Sequence, residues 1–296
     1  MAEWLTLLLL IPAIIVPVIL LTGFAACDRV FGLSSGPVTA PTIDSATPKD
    51  AVTITLVWEG GSGDHYQFER TNPDDTITNF NAPFPAKPLD DTGLLPASTY
   101  KYRVRVIDNS GDPADWSNSV SATTLPVTSA YQKALTEDSA NWQGFTLVQR
   151  IEAAQLGATG PHVRITVQAS SVSDASVNRL YISQAASTGQ PYDSAPDLTQ
   201  VYDFAANQQQ PFVVPAGTTK QLPIVAYTIN RFQALLVAID FSATPVSGIE
   251  TTAAVPASEA SAYFLQTAGG EAAVQVRSAN YQPSPRVYFI TNIEVG

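Results

Sequence analysis

The side chains of this sequence that could do chemistry are few and widely spaced. His65 lies beside a turn, and His162 opens a run of alternating apolar and polar residues much further along. Residue types alone allow a Ser-His-Asp site around His162. No HExxH, GxSxG, P-loop or dinucleotide motif accompanies either histidine, and a hydrogen-bonded histidine at a strand end is the simpler reading. Residues 108–115, DNSGDPAD, bring carboxylate and amide oxygens as close together as a calcium loop does. They lack the bidentate glutamate of an EF-hand, and they are the residues a tight turn uses. The pairs Asp74-Asp75 and Asp90-Asp91 do not make a two-carboxylate acid/base site, because neighbours on a strand point to opposite faces. The expectation is no catalytic residue, no metal and no cofactor.

Aromatic rings are the better candidates for contact with a partner. Trp142, Tyr192 and Tyr281, with Tyr202 and Tyr263, fall in a turn-rich part of the chain. There they would stack on sugar rings or form a protein interface, core filling being the competing reading. Residues 207–210, NQQQ, read as an exposed polar loop.

Charge narrows the partner. Lys and Arg number 15 against 26 Asp and Glu, a net charge of −11. Nucleic-acid binding needs a basic surface to displace counterions from phosphates, so it is disfavoured. A single cysteine leaves no intramolecular disulfide, so core packing must supply the stability.

The elements that would position these residues begin with an uncharged run over residues 4–27, WLTLLLLIPAIIVPVILLTGFAAC. As an α-helix it would be about 36 Å long, enough to cross a hydrocarbon layer of about 30 Å. Three fates compete: a cleaved export signal, a lipoprotein signal with Cys27 acylated after Phe24-Ala25-Ala26, and a retained helix. No Lys or Arg precedes the run, and it exceeds the usual apolar length of a signal, so retention is preferred. Trp4, Leu8, Ile11, Ile15, Ile19 and Phe24 would then anchor the chain in a membrane or pack within an assembly.

Downstream, strand signals dominate. Val52, Ile54, Leu56 and Trp58 alternate with polar residues. In LLPASTYKYRVRVID, Tyr100, Tyr102, Val104 and Val106 point one way while Lys101, Arg103 and Arg105 point the other. Trp58, Leu95-Pro96 before Tyr100, Arg103-Val104, and Asp115-Trp116-Ser117 before Ala122-Thr123-Thr124 together resemble a fibronectin type III domain. That resemblance implies a two-sheet sandwich with Trp58 in its core and Tyr100 as a corner residue whose hydroxyl bonds to nearby backbone. In this family a spacer role is common.

The remainder shows strand-like runs at 144–151, 162–169, 179–183, 201–204, 221–229, 234–241, 262–266, 273–277 and 287–295, with no convincing helical period. The run LLVAIDF, apolar on both faces, reads as a central strand.

The sequence therefore predicts an all-β chain. Residues 1–29 form an apolar, transmembrane-type helix and 30–40 a linker. Residues 41–126 form a fibronectin-III-like β-sandwich, and 127–296 a jelly-roll-like β-sandwich for recognition or assembly. The whole resembles phage tail-tip or fibre proteins. That likeness implies a non-enzymatic structural or binding role in a virion, with copies of itself, other assembly proteins, a membrane and cell-surface glycan as partners, and no nucleic acid. The alternative is a lipoprotein or membrane-anchored adhesin of a bacterial envelope.

Overall fold

Strands form where side chains alternate between core and solvent, and the first half of the chain follows that rule closely. In the computed structural model, which describes residues 39–85, 87–206, 210–267 and 270–296, seven strands lie between residues 42 and 123. They are β1 (Thr42–Pro48), β2 (Ile54–Glu59), β3 (His65–Thr71), β4 (Ile77–Pro83), β5 (Leu89–Asp91), β6 (Thr99–Ile107) and β7 (Val120–Thr123). They make two antiparallel sheets, ordered β1-β2-β5 and β4-β3-β6-β7. Ile54, Leu56 and Trp58 of β2 meet Tyr66 and Phe68 of β3 and Tyr102, Val104 and Val106 of β6 in one apolar cluster. Trp58 is fully buried. Its ring stands edge-on to Tyr66 and Phe68, at centroid distances of 5.1 and 4.9 Å. The hydroxyl of Tyr100 accepts a 2.8 Å hydrogen bond from the Leu95 backbone N–H. A partly buried ion pair, Arg70 to Asp91 at 2.9 Å, ties the two sheets together, and Tyr102 O–H donates to the same carboxylate at 2.8 Å.

Fourteen strands follow: β8 (Thr128–Gln132), β9 (Glu137–Ser139), β10 (Phe145–Ile151), β11 (His162–Gln168), β12 (Ala175–Gln184), β13 (Thr199–Asp203), β14 (Phe212–Val214), β15 (Thr219–Gln221), β16 (Val225–Ala226), β17 (Leu235–Phe241), β18 (Ile249–Thr251), β19 (Ala260–Gln266), β20 (Gln282–Ser284) and β21 (Ile290–Val295). A seven-stranded sheet runs β13-β12-β17-β10-β19-β20, with β14 also on β12. It faces a five-stranded sheet, β15-β11-β21-β8 with β16 also on β11, and β9 pairs with β18. Strand β17, the LLVAIDF run, is buried along its whole length between β10 and β12. Leu235, Val237, Ile239 and Phe241 enter the cluster between the sheets. Leu236 and Ala238 enter a second cluster on the other side, with Tyr192, Ala272 and Tyr281. Both faces of the large sheet are therefore covered, one by the small sheet and one by loops.

Three expectations need correction. The transmembrane-type helix at 1–29 is not supported: among the described residues the only helical element is a 3₁₀ turn at Ala153–Gln155, and no helix is long and apolar enough to cross a membrane. Trp4, Leu8, Ile11, Ile15, Ile19, Phe24 and Cys27 lie outside the described residues. The second unit is not a pair of four-stranded sheets as in an eight-stranded jelly roll, because extra short strands widen each sheet to seven and five. Residues 273–277 form no strand, because Arg277 turns inward to bond backbone carbonyls.

The two sandwiches abut directly. Ala51 of the β1–β2 turn is fully buried, and a Cβ on Gly296 would come within 2.5 Å of the Ala51 Cβ. The connecting backbone is pinned by Leu125 N–H to the Asp50 carbonyl at 3.2 Å.

Trp58→Ala should destabilise the protein by about 3–5 kcal/mol, as expected for emptying a large aromatic site. Tyr100→Phe, which removes one acceptor, should cost only about 1 kcal/mol. Urea unfolding followed by circular dichroism measures both, and equal losses would contradict these assignments of core and corner.

Candidate functional site

Strand β6 has two faces, and the outward one carries charge. Lys101, Arg103 and Arg105 sit at every second position, so they form a row with a spacing of about 6.6 Å. Register places them beside Thr71, Glu69 and Gln67 of β3, which in turn lie beside Ile77, Asn79 and Asn81 of β4. On the far side Ser121 of β7 is opposite Lys101. The chain leaving β6 returns alongside it, with Ala114 N–H bonded to the Val106 carbonyl and Ser117 N–H to that of Val104. This return brings the half-buried Trp116 ring to the row. The guanidinium carbons of Arg105 and Arg103 lie over it, 4.3 and 4.6 Å from its centroid.

The arginines are held at their heads as well. Arg103 Nη2 donates to Glu69 Oε2 at 2.8 Å, and Arg105 Nε donates to Gln67 Oε1 at 2.7 Å. Only Arg103 is therefore neutralised by a carboxylate. Lys101 is exposed and has no carboxylate within ion-pair distance among the described residues. A polar depression of about 230 Å³ opens here, lined by Glu69, Thr71, Lys101, Tyr102, Arg103 and Ser119. The arrangement can bind an anion. Its two arginines are fixed before any ligand arrives, which lowers the ordering cost of binding.

Residues marked in the sequence fall elsewhere. His65 Nδ1 is 2.9 Å from Asp64 Oδ2 at one end of the first sandwich. His162 lies at the junction of the sandwiches, with Nδ1 3.8 Å from Asp50 Oδ1. Asp108 folds its carboxylate into its own loop, where Oδ1 accepts from Ser110 N–H and Asp112 N–H at 2.8 Å each. Those bonds are the turn chemistry of the sequence. No group of three or more metal-ligating side chains occurs among the described residues.

The candidate contact aromatics prove to be interior. Trp142 is 6% exposed and packs against Phe145, Phe241, Phe264 and Tyr288 while its Nε1 donates to Ser139 Oγ at 2.9 Å. Tyr192 and Tyr281 stack on one another with centroids 4.6 Å apart, both buried. None of the three offers a ring to a ligand, because each covers sheet area that would otherwise be wetted. Tyr263 is half-buried against Tyr192, and Tyr202 O–H donates to the Gln210 carbonyl. Residues 207–209 lie outside the described residues.

Two polar clusters carried no sequence signal. On the outer face of the large sheet, Asp240 is fully buried. It accepts from Thr146 O–H at 2.5 Å and Ala272 N–H at 3.1 Å, with Arg179 Nη1 at 3.4 Å. Desolvation raises its carboxyl above the ordinary range. Arg277 is also buried and donates to the carbonyls of Glu271, Ala272 and Tyr192 and to Ser194 Oγ. It clamps residues 271–277 and 192–194 over the sheet. The second cluster pairs Asp138 of β9 directly with Glu250 of β18. Ser171 donates to Asp138 from both its O–H and N–H, holding that carboxyl low. Burial first, and the Asp138 charge second, raise the Glu250 carboxyl.

No protein-family model matches the chain. No curated protein matches it. Among solved structures it is similar to fibronectin type III domains. One is the FN5 domain of Drosophila Lar, at 19% identity and a TM-score of 0.27, covering 30% of this chain and 98% of that one. Another is the sixth fibronectin type III domain of human fibronectin type III domain containing protein 3, at 25% identity and a TM-score of 0.27, covering 32% and 92%. A chitinase, ChiA74 of Bacillus thuringiensis, is similar at 11% identity and a TM-score of 0.24, over 67% of this chain and 29% of that one. Likenesses this slight carry no argument about activity.

A raised carboxyl stabilises the fold while protonated and loses that contribution as pH rises through its folded value. Glu250→Gln should therefore melt close to the parent protein near pH 4 and above it near pH 7. Calorimetric scans at the two pH values test this; a variant less stable than the parent near neutral pH would contradict the placement of Glu250 against Asp138.

Proposed function

We propose that this chain is a non-enzymatic binding and assembly protein whose β-sandwiches, set in series, present an outer sheet face to a larger partner. The observation carrying this reading is the cationic row Lys101, Arg103 and Arg105 on the exposed side of β6, its two arginines preset by Trp116, Glu69 and Gln67. Such a face binds without needing a catalytic group, since its arginines are already ordered and its neighbours, Glu69 apart, are neutral amides and hydroxyls. The direct abutment of the sandwiches supports a load-bearing or spacing role, because contact at the seam restrains the direction in which the face is presented.

The setting we propose is a phage or prophage tail tip or fibre, outside the cytoplasm, with further copies of the chain and other proteins of the assembly as neighbours and a host surface glycan as the target. Antibody against residues 127–296, coupled to gold and viewed by electron microscopy on particles released from the producing cell, should decorate one end of tailed particles. Gold found only on the bacterial envelope would replace this setting with that of an envelope adhesin.

A further inference from the structure

We infer that the depression on the β3–β6 face is a binding site for an acidic polysaccharide, its carboxylate or sulfate groups seated on Lys101, Arg103 and Arg105. The inference rests on the binding reading above and names the chemistry of its partner.

Charge is the first ground. In a chain with 15 cations against 26 carboxylates, three cations fall within five residues and point the same way. One carboxylate, Glu69, answers them. Arg105 is held by the neutral Gln67. The surplus is local and positive on a protein that is otherwise acidic, so an anionic polymer meets attraction on this face and repulsion over most of the remainder.

The second ground is an unmet donor. Arg103 Nε is buried and has no hydrogen-bond partner, although Nη2 of the same side chain is bonded to Glu69. A buried N–H left unmet costs about 1–3 kcal/mol. The side chain as a whole is 38% exposed and lines the depression, so an oxyanion seated there would meet this donor after a small shift of the guanidinium.

The third ground separates a glycan from other polyanions. Protein interfaces are built on apolar or aromatic anchors at their centre. Among the described residues of this face the only large exposed apolar side chain is Ile77, at the end of the sheet where it pairs with Thr71. The ring of Trp116 is already engaged by two guanidiniums. Single-stranded nucleic acid also binds through stacking on free rings, and this face has none to offer. Around the cations stand Asn79, Asn81, Ser119 and Ser121, all exposed. These amides and hydroxyls suit a partner that brings hydroxyl groups with its charge.

The full chain should be retarded in affinity electrophoresis by polygalacturonate, dextran sulfate or both, and not by neutral dextran. Retardation by the first alone assigns the site to carboxylates, by the second alone to sulfate esters. Lys101→Glu, at an exposed position without bonded partners, should weaken the retardation about tenfold or more, and Asn79→Asp on the neighbouring strand about threefold, since charge near the surface acts within a Debye length. Lys220→Glu, the same charge change on the second sandwich, should leave it unaltered. No retardation by either polyanion, equal losses in Lys101→Glu and Lys220→Glu, or tighter binding to polyglutamate or oligothymidylate would each overturn the inference. Protein that still labels tail ends yet ignores both polyanions would remove this inference and leave the assembly reading in place.

Discussion

The two faces of a β-strand cannot be changed independently, and strand β6 is where this constraint governs the molecule. Tyr102, Val104 and Val106 complete the core around Trp58, which obliges residues 101, 103 and 105 to face outward. A one-residue slip would bury three cations and expose three apolar side chains, so the register is strongly fixed. The same geometry that closes the core therefore also lines up the charges. It holds them at a spacing set by the backbone, with β3 and the return through Trp116 supplying partners on either side.

In the second sandwich the governing problem is different. A sheet whose central strand is apolar on both faces needs two covers, and only one is another sheet. The other is made of loop, and a loop brings carbonyls and N–H groups that must be satisfied once water is excluded. Arg277 meets that requirement, since one guanidinium serves the carbonyls of Tyr192, Glu271 and Ala272. Asp240 serves the Ala272 N–H from beneath. These buried charges are explained as backbone satisfaction, which is why they sit under a closed cover instead of in a cleft.

How much of this was legible from the sequence follows from the range of the interactions involved. Alternation is local, so β2, β3 and β6 of the first sandwich, the inward Trp58 and the central LLVAIDF strand could be read from the residues themselves, whereas β4 and β5, in a proline-rich stretch, could not. The fibronectin-like likeness gave Tyr100 its corner role, and its bond to Leu95 spans only five residues. Pairings across long separations left no trace. Asp138 meets Glu250, and Tyr192 meets Tyr281, only because the topology brings distant segments together. For Trp142, Tyr192 and Tyr281 the sequence left contact and core filling both open, and the fold places them inside: a ring in a turn-rich stretch looks exposed until the cover that it forms is known. The row on β6 was visible as three solvent-facing cations. Its meaning was not, since Trp116 reaches it only through the fold.

The closeness of Gly296 to Ala51 has a mechanical consequence. With four residues between β7 and β8, part of that link pinned to Asp50, and no room at the seam for even a methyl group, the sandwiches share one outline instead of swinging about a tether. Torque applied at the far end of the second sandwich would reach the first with little lag. The outer face of β6 is thereby carried at a fixed angle to the second sandwich.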